Sequence, residues 1–269
     1  VPLDPARLKA SLAKWQEGLQ ERGWNCLYLS NHDHPRQVSR FGDDRRYWRE
    51  SATMLATLLH TLRGTPFVMQ GEEIGMTNVA FSSIDEYDDI ECRNYYEEAV
   101  SAGTDPRTAL ERIHRQSRDN ARTPMQWDAT VNAGFTTGKP WIATNPNHVR
   151  INVEAQREDP ESVLAYYRRL VKLRRHHPVL AYGSFREVDT NTPALFAYER
   201  ELDDARVRVA LNLGGESAQW SVPFESASSR TLIANYPDPP APTGRMRLRP
   251  YEAVAWLETT PDPPTENAP

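Results

Sequence analysis

Two apolar runs constrain this chain most: Trp24-Asn25-Cys26-Leu27-Tyr28-Leu29-Ser30 and Pro66-Phe67-Val68-Met69-Gln70. Neither alternates strictly between apolar and polar residues, which would mark a strand with one wet face. Near-continuous apolarity predicts strands buried on both sheet faces and therefore paired in parallel. Between them the pattern is helical over residues 47–62, with Trp48, Ala52, Leu55, Leu59 and Leu62 on one face. Gly64-Thr65-Pro66 then breaks the helix. Strand, helix and parallel strand make an α/β unit. In such units chemistry gathers where a strand hands over to a loop.

The first strand ends in a polar, titratable cluster, Asn31-His32-Asp33-His34, with Pro35 and Arg36 behind it. Three readings of the cluster stand side by side. His and Asp are metal ligands, but adjacent residues on an extended segment point to opposite faces, and no second ligand pair of the HxxxH or ExxH kind follows. Asn31 or Asp33 could instead cap a helix or shape a turn before Pro35. The third reading is recognition of a sugar or polyol, because a carboxylate accepts two hydroxyl hydrogen bonds at once, which suits a vicinal diol.

Around this core the organisation is as follows. Residues 5–23 show a helical pattern, with Leu8, Leu12, Trp15 and Leu19 recurring and Gly23 as the stop. Residues 71–159 read as a long polar, irregular stretch, of the kind that is functional when ordered. A helix over 160–176 follows, with Val163, Leu164, Tyr167, Leu170 and Val171 inward and a basic end that suits the helix dipole. From Pro178 onward, short β-rich runs between Gly, Pro, Asn and Asp turns predict a small antiparallel domain. The tail after Glu258 is Pro-rich and expected to be disordered.

The 269 residues carry 32 basic and 37 acidic side chains, a net charge of −5 without a clustered positive face. That argues against a nucleic-acid or anionic-membrane surface. No run approaches the roughly 20 apolar residues of a membrane span. Two cysteines, Cys26 and Cys92, make no disulfide framework and incline the reading toward a reducing, cytoplasmic setting. Cys26 is expected to be a small buried hydrophobe. Two parallel strands in the first 177 residues leave sheet edges uncovered, whereas a closed eight-stranded barrel needs about 250 residues. The expectation is the back part of a larger barrel, joined in mid-domain.

Three long motifs and one short closing segment resemble a single family. Trp24 to Gly42, with Asn31-His32-Asp33-His34-Pro35-Arg36, resembles the seventh-strand region of the α-amylase superfamily, glycoside hydrolase family 13. Gly64-Thr65-Pro66-Phe67-Val68-Met69-Gln70-Gly71-Glu72-Glu73-Ile74-Gly75-Met76 resembles its eighth-strand region. Ser117-Arg118-Asp119-Asn120-Ala121-Arg122-Thr123-Pro124-Met125-Gln126-Trp127 resembles the segment that marks the oligo-1,6-glucosidase/α-glucosidase branch, and Leu248-Arg249-Pro250-Tyr251-Glu252-Ala253 the end of the C-terminal β-domain.

The resemblance implies an α/β fold: the last two βα units of a (β/α)8 TIM barrel over residues 1–177, then a small all-β antiparallel sandwich over 178–260. It implies a retaining, exo-acting α-glucosidase. Asp33 would be the third catalytic carboxylate, which grips O2 and O3 of the glucosyl ring in subsite −1. His32 would donate to the same hydroxyls, Arg118 would close the blind end of the pocket, and Glu91 would line subsite +1. Glu72 and Glu73 would support the strand end rather than touch sugar. The nucleophile and acid/base motifs have no match in this chain, and His34 stands where the branch usually has Gln. No cofactor is implied here; the calcium-type loop belongs to the N-terminal part of the barrel. The implied partners are a glucosaccharide substrate and that N-terminal part. Two alternatives stay open: a sucrose isomerase or transglucosidase of the same branch, and a catalytically silent glucosidase-like ectodomain of an amino-acid transporter.

Overall fold

The computed structural model of the chain describes residues 4–222 and 229–259. They form two compact units. One contains residues 27–59 and 66–169; the other contains 4–26, 60–65, 170–222 and 229–259.

The first unit holds the loops of the candidate site. Strand β1 (Cys26–Leu27) pairs with β2 (Thr65–Pro66). Thr65 N–H donates to the Asn25 carbonyl and Phe67 N–H to the Leu27 carbonyl, an ascending register that makes the pair parallel. Both strands are shorter than the apolar runs, and burial on both faces is not found. Asn25, Leu27 and Leu29 are buried while Cys26 and Tyr28 are exposed, Tyr28 by 54%, as is Phe67 by 53%. The reason is the pleat: successive side chains point to opposite faces, and only one face of this ribbon is covered among the described residues. The reading of Cys26 as a buried hydrophobe fails for the same reason.

Helix α2 (Gln37–Phe41) leaves the cluster, and α3 (Trp48–Thr61) follows. Helix α3 is buried well beyond the single face expected, with Ala52, Met54, Leu55, Ala56, Leu58 and Leu59 enclosed. Its small polar residues fold back on the helix, Thr53 Oγ1 donating to the Arg49 carbonyl and Thr57 Oγ1 to that of Thr53. That satisfies hydroxyls which burial would otherwise strand.

The stretch 71–159 is ordered and partly helical rather than irregular. It contains α4 (Ile90–Ser101), α5 (Pro106–Gln116), α6 (Asp119–Arg122) and α7 (Val153–Arg157). Asp89 and Asp105 cap the first two, and Pro106 opens the second. The caps were legible, but so few apolar residues face inward that helical periodicity is faint: Cys92 in α4, Ala109 and Ile113 in α5. A cluster of Val79, Phe81, Tyr87, Cys92, Ile113 and Ile142 anchors these elements.

In the second unit α1 (Pro5–Gly18) starts at its Asp4 cap and ends five residues before Gly23. Trp15, expected inward, is exposed, while buried Gln16 grips the backbone of Arg63 from both amide ends. Helix α8 (Val163–His176) passes from one unit to the other, with Val171 exposed and Tyr166 fully buried. After α9 (Pro178–Tyr182) come β3 (Ser184–Val188), β4 (Leu195–Leu202), β5 (Ala205–Asn212), β6 (Ala218–Ser221), β7 (Arg230–Ala234), β8 (Arg245–Leu248) and β9 (Ala253–Thr259). A five-stranded antiparallel sheet runs β3-β4-β5-β9-β7, and β6 pairs with β8. Side chains of both sheets, among them Val188, Ala197, Trp220, Met246 and Trp256, share one core. The antiparallel strands expected from Pro178 onward are therefore present. The tail expected to be disordered lies outside the described residues, apart from Thr259.

Candidate active site

The cluster after β1 is built on a turn. Asn31 Oδ1 accepts the Asp33 N–H at 2.9 Å, and the Asn31 carbonyl accepts the His34 N–H at 3.3 Å. Asn at the first position of a turn does this with its own side chain, so the local reading of the motif was sound. The turn leaves the side chains of His32 and Asp33 half exposed or more.

Asp33 sits between two bases. Its Oδ1 accepts from Arg122 Nη2 at 3.1 Å, and its Oδ2 lies 3.3 Å from His32 Nε2. Arg122 Nε also donates to the His32 carbonyl at 3.0 Å, so one guanidinium grips both the backbone and the side chain of the turn. Arg122 belongs to α6 inside the motif 117–127 but was not singled out from the sequence. Its spacing of four from Arg118 was the available signal.

Arg118 is held from the opposite direction. Its Nε donates to Asp89 Oδ2 at 2.9 Å and its Nη2 to Asp89 Oδ1, a two-pronged ion pair. Its Nη1 lies 3.4 Å from Glu91 Oε1. Asp89 is buried, and the hydrogen bonds from Arg118 hold its carboxyl below the usual carboxylate range against the effect of burial. Arg118 is in turn pushed up from the ordinary arginine value, first by Asp89, with Glu91 and Asp33 adding their charge. The acid that pairs with Arg118 is Asp89, 29 residues away, and not its neighbour Asp119.

Asp119 has another task. Fully buried, its Oδ2 accepts the backbone N–H groups of Asp88 and Asp89 at 2.7 and 2.9 Å. This pins the start of α4 to α6, and with it Asp89 and Glu91. Asp89 Oδ1 also accepts the Glu91 N–H at 3.1 Å. Glu91 itself is exposed at the helix start.

Beneath the loops, Ser30 Oγ donates to Glu72 Oε1, tying the end of β1 to the segment after β2. Burial pushes the Glu72 carboxyl up to about 7, opposed by the Ser30 hydrogen bond and the charge of Arg36. Glu73 Oε2 accepts the Gly71 N–H at 2.7 Å. Arg36 is buried among these groups. His34, beside the turn, is pulled below the usual histidine value by burial and by Arg40, with Asp33 acting the other way.

His32, Asp33 and Arg122 thus form one polar group and Arg118, Asp89 and Glu91 a second, and α6 with its N-cap residue carries an arginine of each. A sugar hydroxyl both donates and accepts, so it can pair with a carboxylate and a guanidinium at once. Among the described residues no group of three or more His, Cys, Asp or Glu side chains is arranged to hold a metal ion. No helix among them is long and apolar enough to cross a membrane.

Comparison with known proteins points to the same family. The family model described as alpha amylase, catalytic domain, matches residues 1–183. The oligo-1,6-glucosidase of Halalkalibacterium halodurans is 48% identical over 259 residues, covering 95% of this chain and 46% of the relative. The crystal structure of Bacillus licheniformis trehalose-6-phosphate hydrolase superposes with a TM-score of 0.92 at 37% identity, covering 97% of this chain and 48% of that one. Isomaltulose synthase from Klebsiella sp. gives 0.85 at 38% identity, covering 95% and 46%. The chain spans about half the length of the relatives it matches. With the three motifs in order and the family model matched over most of its length, the chain belongs to the α-amylase family of glycoside hydrolases and corresponds to its C-terminal part.

Proposed function

We propose that the chain is the C-terminal part of a retaining, exo-acting α-glucosidase acting on the non-reducing ends of short glucosaccharides or sucrose. Residues 1–177 would supply the last two βα units of a (β/α)8 barrel, and 178–260 the β-domain. The observation that carries this reading is that Arg122, four residues from Arg118 in the same motif, donates to the Asp33 carboxylate and to the His32 carbonyl, which brings the two motifs together. The exposed apolar face of the β1–β2 ribbon, with Tyr28 and Phe67, is consistent with strands of the same barrel being supplied by the N-terminal part.

The roles follow from the chemistry. Asp33 would accept from O2 and O3 of the glucosyl ring, with His32 donating beside it. Hydrogen bonds that strengthen as the ring flattens toward an oxocarbenium ion lower the barrier rather than merely tightening binding. Arg118 would face the terminal hydroxyls and stop a longer chain from passing through. Glu91, at the far side of Arg118, would meet the leaving sugar. The nucleophile and the proton donor would come from the N-terminal part.

The test is to express the polypeptide with that part attached and assay p-nitrophenyl α-glucoside, isomaltose and sucrose. Release of single glucose units with retained configuration supports the proposal, and the 269 residues alone should be inactive. Turnover by the 269 residues alone, or cleavage at internal bonds, overturns it. Isomerised products from sucrose would move the assignment to the synthase reading, which the likeness to isomaltulose synthase keeps in view.

A further inference from the structure

We propose that Arg36 is a positioning residue of this site: by holding the carbonyls of Gln70 and Asn120 it sets where Arg122 and Arg118 stand relative to Asp33. The proposal rests on the glucosidase reading for its kinetic part and on geometry alone for the rest. Arg36 Nε donates to the Asn120 carbonyl at 3.0 Å, Nη1 donates to the Gln70 carbonyl at 2.5 Å, and the Arg36 N–H donates to Asn78 Oδ1 at 2.9 Å. Asn78 and Asn120 extend the hub, each donating an amide N–H to the His114 carbonyl, while Asn120 Oδ1 accepts the Val79 N–H. One buried cation therefore ties together the turn after β1, the segment after β2 and the entry to α6.

Two cross-links join the same two segments. Arg36 to Asn120 is the inner one, and Arg122 to Asp33 is the outer one. The inner link is buried at both ends, whereas Asp33 is half exposed. A solvent-screened ion pair fixes little by itself. The buried link, with two carbonyls held by a planar fork, limits how far the outer pair and the neighbouring Arg118 can drift.

Glu72 supplies the opposing charge. It and Glu73 both act on Arg36, and Tyr167 feels both carboxylates. Arg36 Nη2 and Glu72 Oε2 are buried without hydrogen-bond partners. Loss of the Glu72 charge would leave the guanidinium less compensated.

The test uses the complete enzyme and two readouts. Arg36→Lys keeps the charge but loses the fork. Amide hydrogen exchange should quicken in residues 31–35 and 117–122 and stay unchanged in the β-domain. Well below the melting temperature, kcat per folded molecule should fall at least about tenfold with KM little changed. In the double variant with Asp33→Asn, Arg36→Lys should add almost nothing, because both act through the same carboxylate. Should Arg36→Lys not fold, Arg36→Met serves, since it keeps the apolar stem and removes the fork together with the buried charge: near pH 5.5, where Glu72 is neutral, exchange of residues 31–35 and 117–122 should again quicken. Unchanged exchange or an additive double variant overturns the proposal. If the wild type turns over no α-glucoside, the glucosidase reading fails and the exchange comparison alone decides the clamp.

Discussion

Arg122 and Asp33 stand 89 residues apart in sequence, yet the Arg122 guanidinium donates to the Asp33 carboxylate at 3.1 Å and, through Nε, to the carbonyl of His32. Residues 117–127 and the turn over 31–34 therefore meet in space. Asp33 is aimed by a residue outside its own motif.

If Asp33 grips the ring in the transition state, Asp33→Asn in the complete enzyme should lower kcat by a factor on the order of 10³ or more. The melting temperature should move by only a degree or two, because the side chain is half exposed. Steady-state kinetics beside thermal unfolding checks this. A mild kinetic loss contradicts the role.

Arg118 reaches Asp89 with two nitrogens and Glu91 with a third. Lysine brings one point of charge and cannot reproduce that fork. Arg118→Lys should lower kcat/KM on the order of a hundredfold for disaccharides. Longer substrates should suffer less if the arginine marks the end of the pocket. Comparing isomaltose with isomaltotriose decides it.

Glu72 makes stability depend on pH in the direction opposite to a salt-bridged acid. The folded carboxyl titrates near 7, above the usual 4.5, so as pH rises from 4.5 to 7 the unfolded chain sheds its proton first. Its contribution is complete below that window and lost across it, up to about 3 kcal/mol. Glu72→Gln should remove this slope in urea unfolding between about pH 4.5 and 7. An unaltered slope in the variant would show that another group is responsible.

Gly71 adopts a φ of +91°, and a Cβ there would stand 2.4 Å from Met76 Sδ and 3.0 Å from Arg36 Nη1. Gly103, at +89°, has nothing within 4 Å of its missing Cβ. Gly103→Ala should therefore cost about 1 kcal/mol from backbone strain alone. Gly71→Ala should cost about 2–4 kcal/mol, since a buried contact must shift as well. Chemical denaturation of the two variants side by side measures the difference.

The exposure of Cys26 and Tyr28 marks where sequence reasoning stopped. Their apolar run predicted a strand, and a parallel pair is there, but burial on a second face depends on what lies against it. No local pattern carries that. Helices α4 and α5 escaped for a related reason, since so few of their side chains face inward that only Asp89, Asp105 and Pro106 announce them.

What the sequence by itself determined is local: the turn option for Asn31–His34, the helix over 48–61, the β-rich C-terminal region and the motifs that placed the chain in its family. Those depend on neighbours a few residues apart. Only the tertiary structure decided that Arg122 aims Asp33, that Asp89 holds Arg118, and that Arg36 sits buried beneath both. These are contacts between segments about 30 to 90 residues apart. Their pairing is set by how the loops pack, because a carboxylate accepts from any donor that the fold brings within reach.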